Sequence, residues 1–290
     1  MKKVLVTHDG AFHADEVFST AILKHLYPDA IILRSRDPEI WKTADVVYDV
    51  GMIFDNEKYF DHHQEHPELR SCGTPYSSFG LIWKKFGEQY IQAFVTNVDI
   101  QRIWKKVDRD LVFDVDAIDN GIAIPSSIYG VSQIIGSFNA SYKNQNKKFD
   151  EAVTIAASIL KEKVRTEITA AKAFDDVKTA YENRVNKEIL ILPQGCNWWD
   201  NITTIDVNKE VLFVVSPIED GRYNINTVST AHGTYTARKD LPKHWAGLSG
   251  DELNCVAGVH DAIFCHKNLF VASARSLSSA IHMAQIAVES

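Results

Sequence analysis

Short apolar runs alternate with stretches of helical periodicity in the first part of the chain. The runs at residues 4–6, 31–33 and 46–48 predict buried strands. Between the first two runs, apolar residues recur near helical spacing over residues 15–27, and a proline then ends the helix. Strands that alternate with helices predict βαβ units around a parallel sheet, whose ligands bind at the carboxyl ends of the strands.

The next part of the chain has mostly helical patterns. Residues 76–106 are predicted to be largely helical, with Ser77 or Ser78 as the residue that caps the helix. A further helix is predicted over residues 114–118. Asp116 and Asp119 are three residues apart, so they share a face of that helix.

A polar, turn-like stretch at residues 141–148 precedes a long segment, residues 150–183, that contains neither Gly nor Pro. That segment is rich in Ala, Lys and Glu and predicts a long helix joining two domains. A chain of 290 residues is also too long for one small core.

Strand-like runs return after residue 187. They lie at residues 189–192, 211–215 and 262–265, and a final helix is predicted over residues 277–289. The fold class is therefore α/β, with a parallel-sheet domain first and a smaller α/β or α+β domain last. The predicted boundaries are residues 1–148 for the catalytic domain, 149–186 for the helical linker and 187–290 for the C-terminal, substrate-binding domain.

Charge and composition restrict the function classes. The net charge of −7 excludes a wholly basic nucleic-acid coat, although it permits a local basic groove. Two bound divalent cations would reduce that charge to −3, so part of the acidity can belong to a metal site. The four cysteines form no CxxC pair and predict buried, free thiols in a reduced environment. The absence of a signal-like N-terminus and of any apolar run near 20 residues predicts a cytoplasmic protein without a membrane span.

Histidines and carboxylates concentrate where the predicted strands end. One histidine in isolation is usually a surface or core residue, and one carboxylate after a strand is usually a turn former or helix cap. Here several histidines and carboxylates follow the predicted strands, and chance alone is a poor explanation for so many of them. We therefore predict a metal site. The residues concerned are His8, Asp9, His13, Asp15, Asp49, Asp61, His62, His63 and His66.

The ligand types indicate the class of metal. Imidazole and carboxylate without thiolate suit Mn²⁺, Fe²⁺, Zn²⁺, Co²⁺ or Mg²⁺ rather than a structural cysteine-type zinc site. Six or seven candidate ligands exceed the needs of one ion, so two ions bridged by a shared carboxylate are predicted. Such a pair activates water and clamps the oxygens of a phosphate, which favours hydrolysis of a phosphoester.

Four motifs resemble those of the DHH phosphoesterase superfamily, which includes RecJ-type exonucleases and manganese-dependent pyrophosphatases. They are His8-x4-His13-x-Asp15, Asp49-Val-Gly, Asp61-His62-His63-Gln64 and the stretch VDAIDNG at 115–121. The longer strings THDGAFHADE (7–16), YDVG (48–51), FDHHQ (60–64) and YSSFGLIWKKFG (76–87) are similar to the Myg family. The resemblance extends over nearly the whole chain. It implies a DHH-like catalytic domain, manganese as the preferred metal, a homodimer, and 3′-5′ exonuclease activity on RNA or short oligonucleotides.

The resemblance also implies roles for individual residues. His8, His13 and Asp49 would hold one ion, and the second would be held by Asp15, Asp49, His62 and Asp119, with Asp49 as the bridge. His63 would face the phosphate, and Asp61 would support a ligand histidine. The superfamily's usual first motif is His-x3-Asp-x-Asp, so this one is a residue longer and has His13 in place of the first Asp. Asp116 competes with Asp119, which is favoured because Asn120-Gly121 can end the helix there.

The residues that bind substrate are harder to assign from the sequence than the metal ligands are. Arg34 and Arg36 flank a predicted strand end, where they could bind phosphate or pair with site carboxylates. His266 and Arg275 lie in the second domain, where the superfamily uses a glycine-rich loop that residues 271–275 of this chain lack. Trp198 and the tryptophan after it could stack a nucleobase or serve only in packing.

The sequence therefore predicts a two-metal phosphodiester hydrolase that acts on RNA or short oligonucleotides. A small phosphoanhydride or cyclic nucleotide is the alternative substrate, since the same metals serve both reactions. A metal-binding regulatory protein without turnover is the alternative outside the enzymes.

Overall fold

A computed structural model describes residues 2–122, 130–140, 143–231, 234 and 236–290. The chain divides into two compact units, Met1–Ile168 and Thr169–Ser290. The first unit carries the cluster of histidines and carboxylates. The second has its own sheet and apolar core.

The first unit is built on a parallel sheet. Its strands among the described residues are β1 Val4–Thr7, β2 Ile31–Arg34, β3 Val46–Tyr48 and β4 Tyr59–Phe60. They are ordered β2-β1-β3-β4, and each neighbouring pair is parallel. The three strands predicted at residues 4–6, 31–33 and 46–48 are therefore confirmed. The two-residue strand β4 was not predicted, because so short a segment has no readable periodicity.

Helices cover both faces of this sheet, as its buried strands require. The described helices of the unit are α1 Ala14–Leu26, α2 Pro38–Thr43, α3 Ser78–Gln92, α4 Ile100–Val107, α5 Phe113–Asp119 and α6 Val131–Gly136. Val6 and Val47 pack toward α2, whereas the hydroxyl of Tyr48 lies 2.7 Å from Thr20 on α1. Because helices cover both faces of the sheet, a ligand site can form at the carboxyl ends of its strands.

Of two local predictions in this unit, one is confirmed in position and the other is corrected. Ser77 is the N-cap residue of α3, one of the two positions predicted, although its hydroxyl makes no cap hydrogen bond and instead donates to Asp116 at 2.6 Å. The turn predicted at residues 141–148 is wrong from residue 145 onward, because the long helix α7 spans Gln145–Glu182. Gln and Lys are good helix formers, and Lys148 pairs with Glu151 one turn later. Residues 141–142 lie outside the described part.

The second unit has a mixed sheet. Its described strands are β5 Ile189–Ile191, β6 Phe213–Pro217, β7 Tyr223–Thr227, β8 Ala262–Cys265 and β9 Val271–Ala274, in the order β5-β6-β7-β9-β8. β5 and β6 are parallel, and the other pairs are antiparallel. The helices are α8 Trp199–Ile205, α9 Gly250–Ala257 and α10 Leu277–Glu289. The α/β class and the α+β character of this part are thus confirmed.

Some features of the second unit differ from expectation. Residues 271–275 were compared with a substrate-binding loop, but Val271–Ala274 forms β9, whose backbone pairs with β7 and β8. The prediction of buried thiols is right only for Cys265; Cys72 and Cys255 are exposed and Cys196 is intermediate, although all four are free. Among the described residues, no helix is both long enough and apolar enough to cross a membrane.

Candidate metal centre

The ends of three parallel strands bring the predicted ligands together. His8 follows β1 directly, Asp49 follows β3, and Asp61-His62-His63 follows β4. Carboxyl ends of parallel strands meet at one edge of the sheet, so residues far apart in sequence become neighbours there. Asp49 has a backbone φ of 54°, a left-handed conformation that Asp adopts more readily than most residues. The chain thus turns sharply and directs Asp49 into the site.

The N-terminus of α1 supplies the next group of side chains. His13 is the N-cap residue and is exposed, whereas Asp15 and Glu16 are fully buried. Ser78 at the start of α3 donates a 2.8 Å hydrogen bond to Asp15 Oδ2 and so fixes that carboxylate. Negative side chains are favourable at a helix N-terminus, which helps this helix hold two buried carboxylates.

Asp49 lies between two histidines and presents one oxygen to each. Its Oδ2 is 3.2 Å from His8 Nε2, and its Oδ1 is 3.3 Å from His62 Nε2. His62 Nε2 is also 3.2 Å from Asp119 Oδ2 and 3.9 Å from Asp15 Oδ2. Ligand atoms about 2.1 Å from one ion lie about 3–4 Å from one another. The observed separations therefore allow these side chains to share a cation.

The orientation of the His8 ring indicates a positive charge at its Nε2. Its Nδ1 is 2.9 Å from the backbone carbonyl of Asp9, which fixes Nδ1 as the donor. In the neutral ring Nε2 is then a lone pair, yet it faces Glu16 Oε1 at 3.0 Å and Asp49 Oδ2 at 3.2 Å. A lone pair facing two carboxylate oxygens is repulsive unless a proton or a metal cation lies between them.

The pKa shifts of Asp15, His8 and His62 also indicate that this cluster of carboxylates favours a bound positive charge. Burial, and then the carboxylates of Asp49 and Asp119, raise the pKa of Asp15 well above its usual value. Burial alone would lower the pKa of His8 and of His62, but the adjacent carboxylates raise both to about 10. Without a cation the cluster holds protons instead, so bound metal would displace protons from it.

Buried polar atoms that lack a hydrogen-bond partner show whether this cluster suits a metal ion. Asp15 Oδ1, Asp49 Oδ1 and His62 Nε2 are buried and have no hydrogen-bond partner among the described residues. Each is a desolvated polar atom that protein contacts leave uncompensated, a cost of about 1–3 kcal/mol or more for charged groups. All three are good ligands for hard or borderline divalent ions. The donor set therefore fits divalent metal.

The role predicted for Asp61 is corrected. Its carboxylate was expected to support a ligand histidine, but it bonds the ring of His63, with Oδ1 2.7 Å from Nδ1. From His62 it accepts only the backbone N–H, at 2.7 Å, and it also accepts the backbone N–H of Met52. The Asp61 carboxylate therefore contacts the loops at residues 52 and 61–63, and among the histidine rings it bonds that of His63 and not that of His62. This hydrogen bond raises the pKa of His63.

A buried ion-pair network distinguishes Asp116 from Asp119. Arg70 donates to Asp116 Oδ2 at 2.7 and 2.9 Å and to both oxygens of Asp108. Asp116 Oδ1 also accepts from Ser77 and from the backbone N–H of Gly80 on α3. Its oxygens are fully engaged in holding α5 against α3. Asp119, one turn later, is left beside His62.

The two arginines after β2 have different environments. Arg34 donates to the backbone carbonyls of His8 and Gly10, and its guanidinium lies 4.5 Å from the ring of Phe149. It supports the loop that carries His8, and its remaining donor nitrogen reaches Asn146 Oδ1 on α7 at 3.2 Å. Arg36 is exposed and pairs only loosely with Asp9, at 3.5 Å. Of the two, Arg36 lines the cavity over the cluster.

That cavity has a volume of about 1110 Å³. Its walls include His8, His13, Asp49, His63 and Asp119, with Arg36 at the side. His62, Asp15 and Glu16 lie beneath this surface. The arrangement leaves room over the cluster for a phosphorylated ligand of nucleotide size.

His266 and Arg275 belong to the second unit, at opposite ends of the β8–β9 hairpin. His266 follows β8, and its Nδ1 accepts the backbone N–H of Asn268 in the turn. Arg275 follows β9 and pairs through its backbone with Asp261, before β8. The hairpin separates the two side chains by the length of a strand, so they do not converge on one small group.

Sequence reasoning missed Glu16 and Arg70. Glu16 lies three residues after the N-cap His13 and accepts its backbone N–H at 2.9 Å. A glutamate at that position is the ordinary signal of a capping box, which concealed its second contact with His8. Arg70 stands alone in a polar loop, and no local pattern connects it to Asp108 or Asp116.

Fold and cluster together define an α/β protein with a histidine–carboxylate site at the edge of a parallel sheet. The model of a family described as an uncharacterised protein family (UPF0160), MYG1_exonuc, matches residues 4–288. The chain therefore belongs to this family, and the resemblance to the Myg family is confirmed.

Named relatives match over nearly the whole chain. The chain is 28% identical to the MYG1 protein YER156C of Saccharomyces cerevisiae, over 99% of this chain and 96% of that protein. It is 27% identical to the MYG1 exonuclease of Homo sapiens, over 96% of this chain and 84% of that protein. Among solved structures, RecJ from Thermus thermophilus in complex with Mn²⁺ matches at 12% identity with a TM-score of 0.32, covering all of this chain and 52% of RecJ. Family membership rests on the sequence matches.

Proposed function

We propose that this protein is a metal-dependent phosphodiester hydrolase, a 3′-5′ exonuclease acting on RNA or short oligonucleotides. The observation that carries the proposal is the set of buried, unsatisfied ligand atoms around Asp49. The relatives named exonuclease in Homo sapiens, Bos taurus and Mus musculus support the reaction class.

The side chains divide into two ligand sets that share Asp49. The first is His8, His13, Asp49 and Glu16, which lie around the end of β1 and the start of α1. The second is Asp15, Asp49, His62 and Asp119. Asp119 is preferred to Asp116 because Arg70 neutralises Asp116 and takes up its oxygens. Two divalent ions, with Mn²⁺ as the first choice, would supply Lewis-acid charge and a water of lowered pKa.

The remaining side chains of the cavity would act on the substrate. Asp61 holds His63 through Nδ1, which leaves Nε2 for the phosphodiester and its leaving oxygen. The His63 side chain is 56% exposed, as a group that meets substrate must be. Arg36 provides positive charge at the wall of the cavity, where it would attract a phosphate. Catalysis would require that the hydrogen bond between Asp61 and His63 persists when substrate binds.

A substrate panel tests the reaction class. Metal-loaded protein is incubated with labelled RNA, single-stranded DNA, pyrophosphate, dinucleotides and a cyclic nucleotide. We expect nucleoside monophosphates to be released stepwise from the 3′ end of RNA. Preferential turnover of pyrophosphate or the cyclic nucleotide would support the small-substrate alternative. No turnover of any of them, alongside measurable metal binding, would leave the regulatory alternative.

Glu16→Gln should weaken metal binding while leaving the fold intact. Gln keeps the oxygen that accepts the His13 backbone N–H, so the helix cap survives, but it removes the charge facing His8. We expect Mn²⁺ affinity to fall at least about tenfold, within the range found for groups that support a metal site. Titration calorimetry measures this without any assay of activity.

The matched control is Glu57→Gln, which makes the same change in an exposed turn. Its Mn²⁺ affinity should equal that of the unmodified protein. Equal affinities for Glu16→Gln and the unmodified protein would show that Glu16 is only a helix cap.

His63→Asn should separate catalysis from metal binding. The ring contacts Asp61 and lies outside the two ligand sets, so metal content should stay unchanged. We expect kcat to fall by about 10²–10⁴, the usual contribution of a positioned proton donor. Metal analysis and kinetics on one preparation provide the two readings. A loss of bound metal would place His63 among the ligands instead.

A further inference from the structure

A second cavity, of about 650 Å³, lies within the second unit at the carboxyl ends of the parallel strands β5 and β6. The segment after β5 and the segment after β6 form its two sides, and β7 forms its floor. Carboxyl ends of parallel strands are the usual place for ligands in α/β sheets. The volume falls in the range of small-molecule sites. We propose that this cavity binds a nucleobase, an inference that rests on the proposed function for its substrate class.

The walls of this cavity are fixed by close packing. At Gly195 an added Cβ would lie 2.8 Å from the carbonyl oxygen of Pro217, so the two sides approach as closely as glycine alone permits. Trp198 is 4% exposed and packs with Leu192 and Val214 in an apolar cluster. The exposed Trp199 stacks on it, with ring centroids 4.2 Å apart. These contacts make this wall of the cavity rigid, so the space between the two sides keeps its shape.

The floor is polar, and it holds an unsatisfied acceptor. Asn224 and Asn226 are two residues apart on β7, so both face the same side of the sheet, and Ser216 on β6 lies opposite Asn224. Asn226 Oδ1 is buried and has no hydrogen-bond partner within the described part of the chain. A buried amide oxygen costs free energy until an N–H donor reaches it. Asn224 and Asn226 line the cavity, so a ligand with N–H groups would satisfy this oxygen once the Asn226 side chain turns toward it.

Charge excludes a phosphate as the occupant. The one charged side chain among the described residues lining the cavity is Glu219, and none of them is Lys or Arg. An anion there would meet a carboxylate without any compensating cation. A neutral heterocycle with an exocyclic amine satisfies Asn226 and tolerates Glu219. Adenine, cytosine and guanine have that chemistry, and adenosine and cytidine serve as the probes.

Cys196 makes the cavity testable in the unmodified protein. This thiol is free, partly exposed and part of the cavity lining. Bound nucleoside should slow its alkylation by iodoacetamide, measured by mass spectrometry of the full-length protein. A nucleoside has no phosphodiester bond, so the probe is not consumed. At about 10 mM adenosine or cytidine, a Kd near 1 mM would give about tenfold protection. Cys72 and Cys255 are exposed and lie outside the cavity, so they provide internal controls.

Two comparisons identify the recognised group. Purine riboside has the ring and sugar of adenosine but no exocyclic amine, and it should protect Cys196 much less than adenosine does. Ribose 5-phosphate should not protect it. Asn226→Leu should abolish protection, whereas Asn208→Leu, in an exposed turn, should leave it unchanged.

The outcomes are decisive without any measurement of turnover. Selective protection of Cys196 by adenosine and cytidine supports the proposal. No protection, equal protection by ribose 5-phosphate, or equal protection at Cys72 and Cys255 overturns it. Should Asn226→Leu fail to fold, the purine riboside comparison on the unmodified protein still decides. Hydrolysis of bis(p-nitrophenyl) phosphate, measured separately with Mn²⁺, reports on the proposed function independently of this cavity.

Discussion

Asp49→Asn is expected to abolish hydrolysis and to remove metal from both ligand sets. Asp49 gives one oxygen to the His8 side and the other to the His62 side, so its loss affects two sites at once. Even groups that only support metal ligands cost 10–100-fold in affinity or activity, and we expect a loss of more than about 100-fold here. Asn is the right replacement because, like Asp, it tolerates the left-handed backbone at φ 54°. Any lost activity then reflects chemistry and not backbone strain.

Two measurements check this result on the same preparation. Metal content by mass spectrometry should fall from two equivalents of Mn²⁺ to less than one, and release of nucleotides from RNA should reach background. Asp29→Asn, the same substitution in an exposed turn after α1, is the matched control and should behave as the unmodified protein. Substantial activity with both metals retained in Asp49→Asn would disprove the shared-carboxylate arrangement.

The positions of His8 and Asp49 were accessible from sequence for a definite reason. Each follows an apolar run that could be recognised as a buried strand, and parallel strands bring their carboxyl ends together. His62 needed the resemblance as well, because β4 before it has only two residues. α1 and α10 were also predicted to within a residue, because the sequence signals that mark them are local.

Contacts made across the fold could not be predicted in the same way. Asp61 was assigned to the wrong histidine because its choice depends on how the loop turns after β4. The preference for Asp119 over Asp116 was argued from Asn120-Gly121, whereas the structure gives a stronger reason in Arg70, 46 residues before Asp116. Such a pair leaves no periodic trace in the sequence. Tertiary position alone shows which carboxylate is neutralised.

Arg70→Met should destabilise the protein by about 3–5 kcal/mol at neutral pH, the usual cost of leaving a buried charge without its partner. Arg70 is 9% exposed and Asp116 is fully buried, so little solvent can replace the lost contact. Met preserves most of the volume of the aliphatic stem, which separates the loss of charge from the loss of packing. The free energy of unfolding is measured by urea denaturation.

The dependence of that loss on pH identifies its cause. Burial raises the pKa of Asp116 to about 6, even though Arg70 opposes the rise. A carboxyl whose folded pKa exceeds its unfolded value stabilises the folded state when protonated, and this contribution is lost as pH rises through the folded pKa. Removing Arg70 raises the folded pKa further, so the difference between Arg70→Met and the unmodified protein should be largest at about pH 7.5 and shrink toward pH 5.

A double variant and a surface pair complete the test. Asp116→Asn removes the stranded charge while keeping the oxygen that Ser77 and the Gly80 backbone contact, so adding it to Arg70→Met should recover part of the lost stability. Arg165→Met breaks an exposed pair with Glu162 and should change stability by less than about 1 kcal/mol. A loss in Arg70→Met that is independent of pH and unaffected by Asp116→Asn would assign Arg70 to packing alone. The pH-dependent result would instead show that Arg70 fixes α5 by neutralising Asp116, which leaves Asp119 as the carboxylate of that helix available to metal.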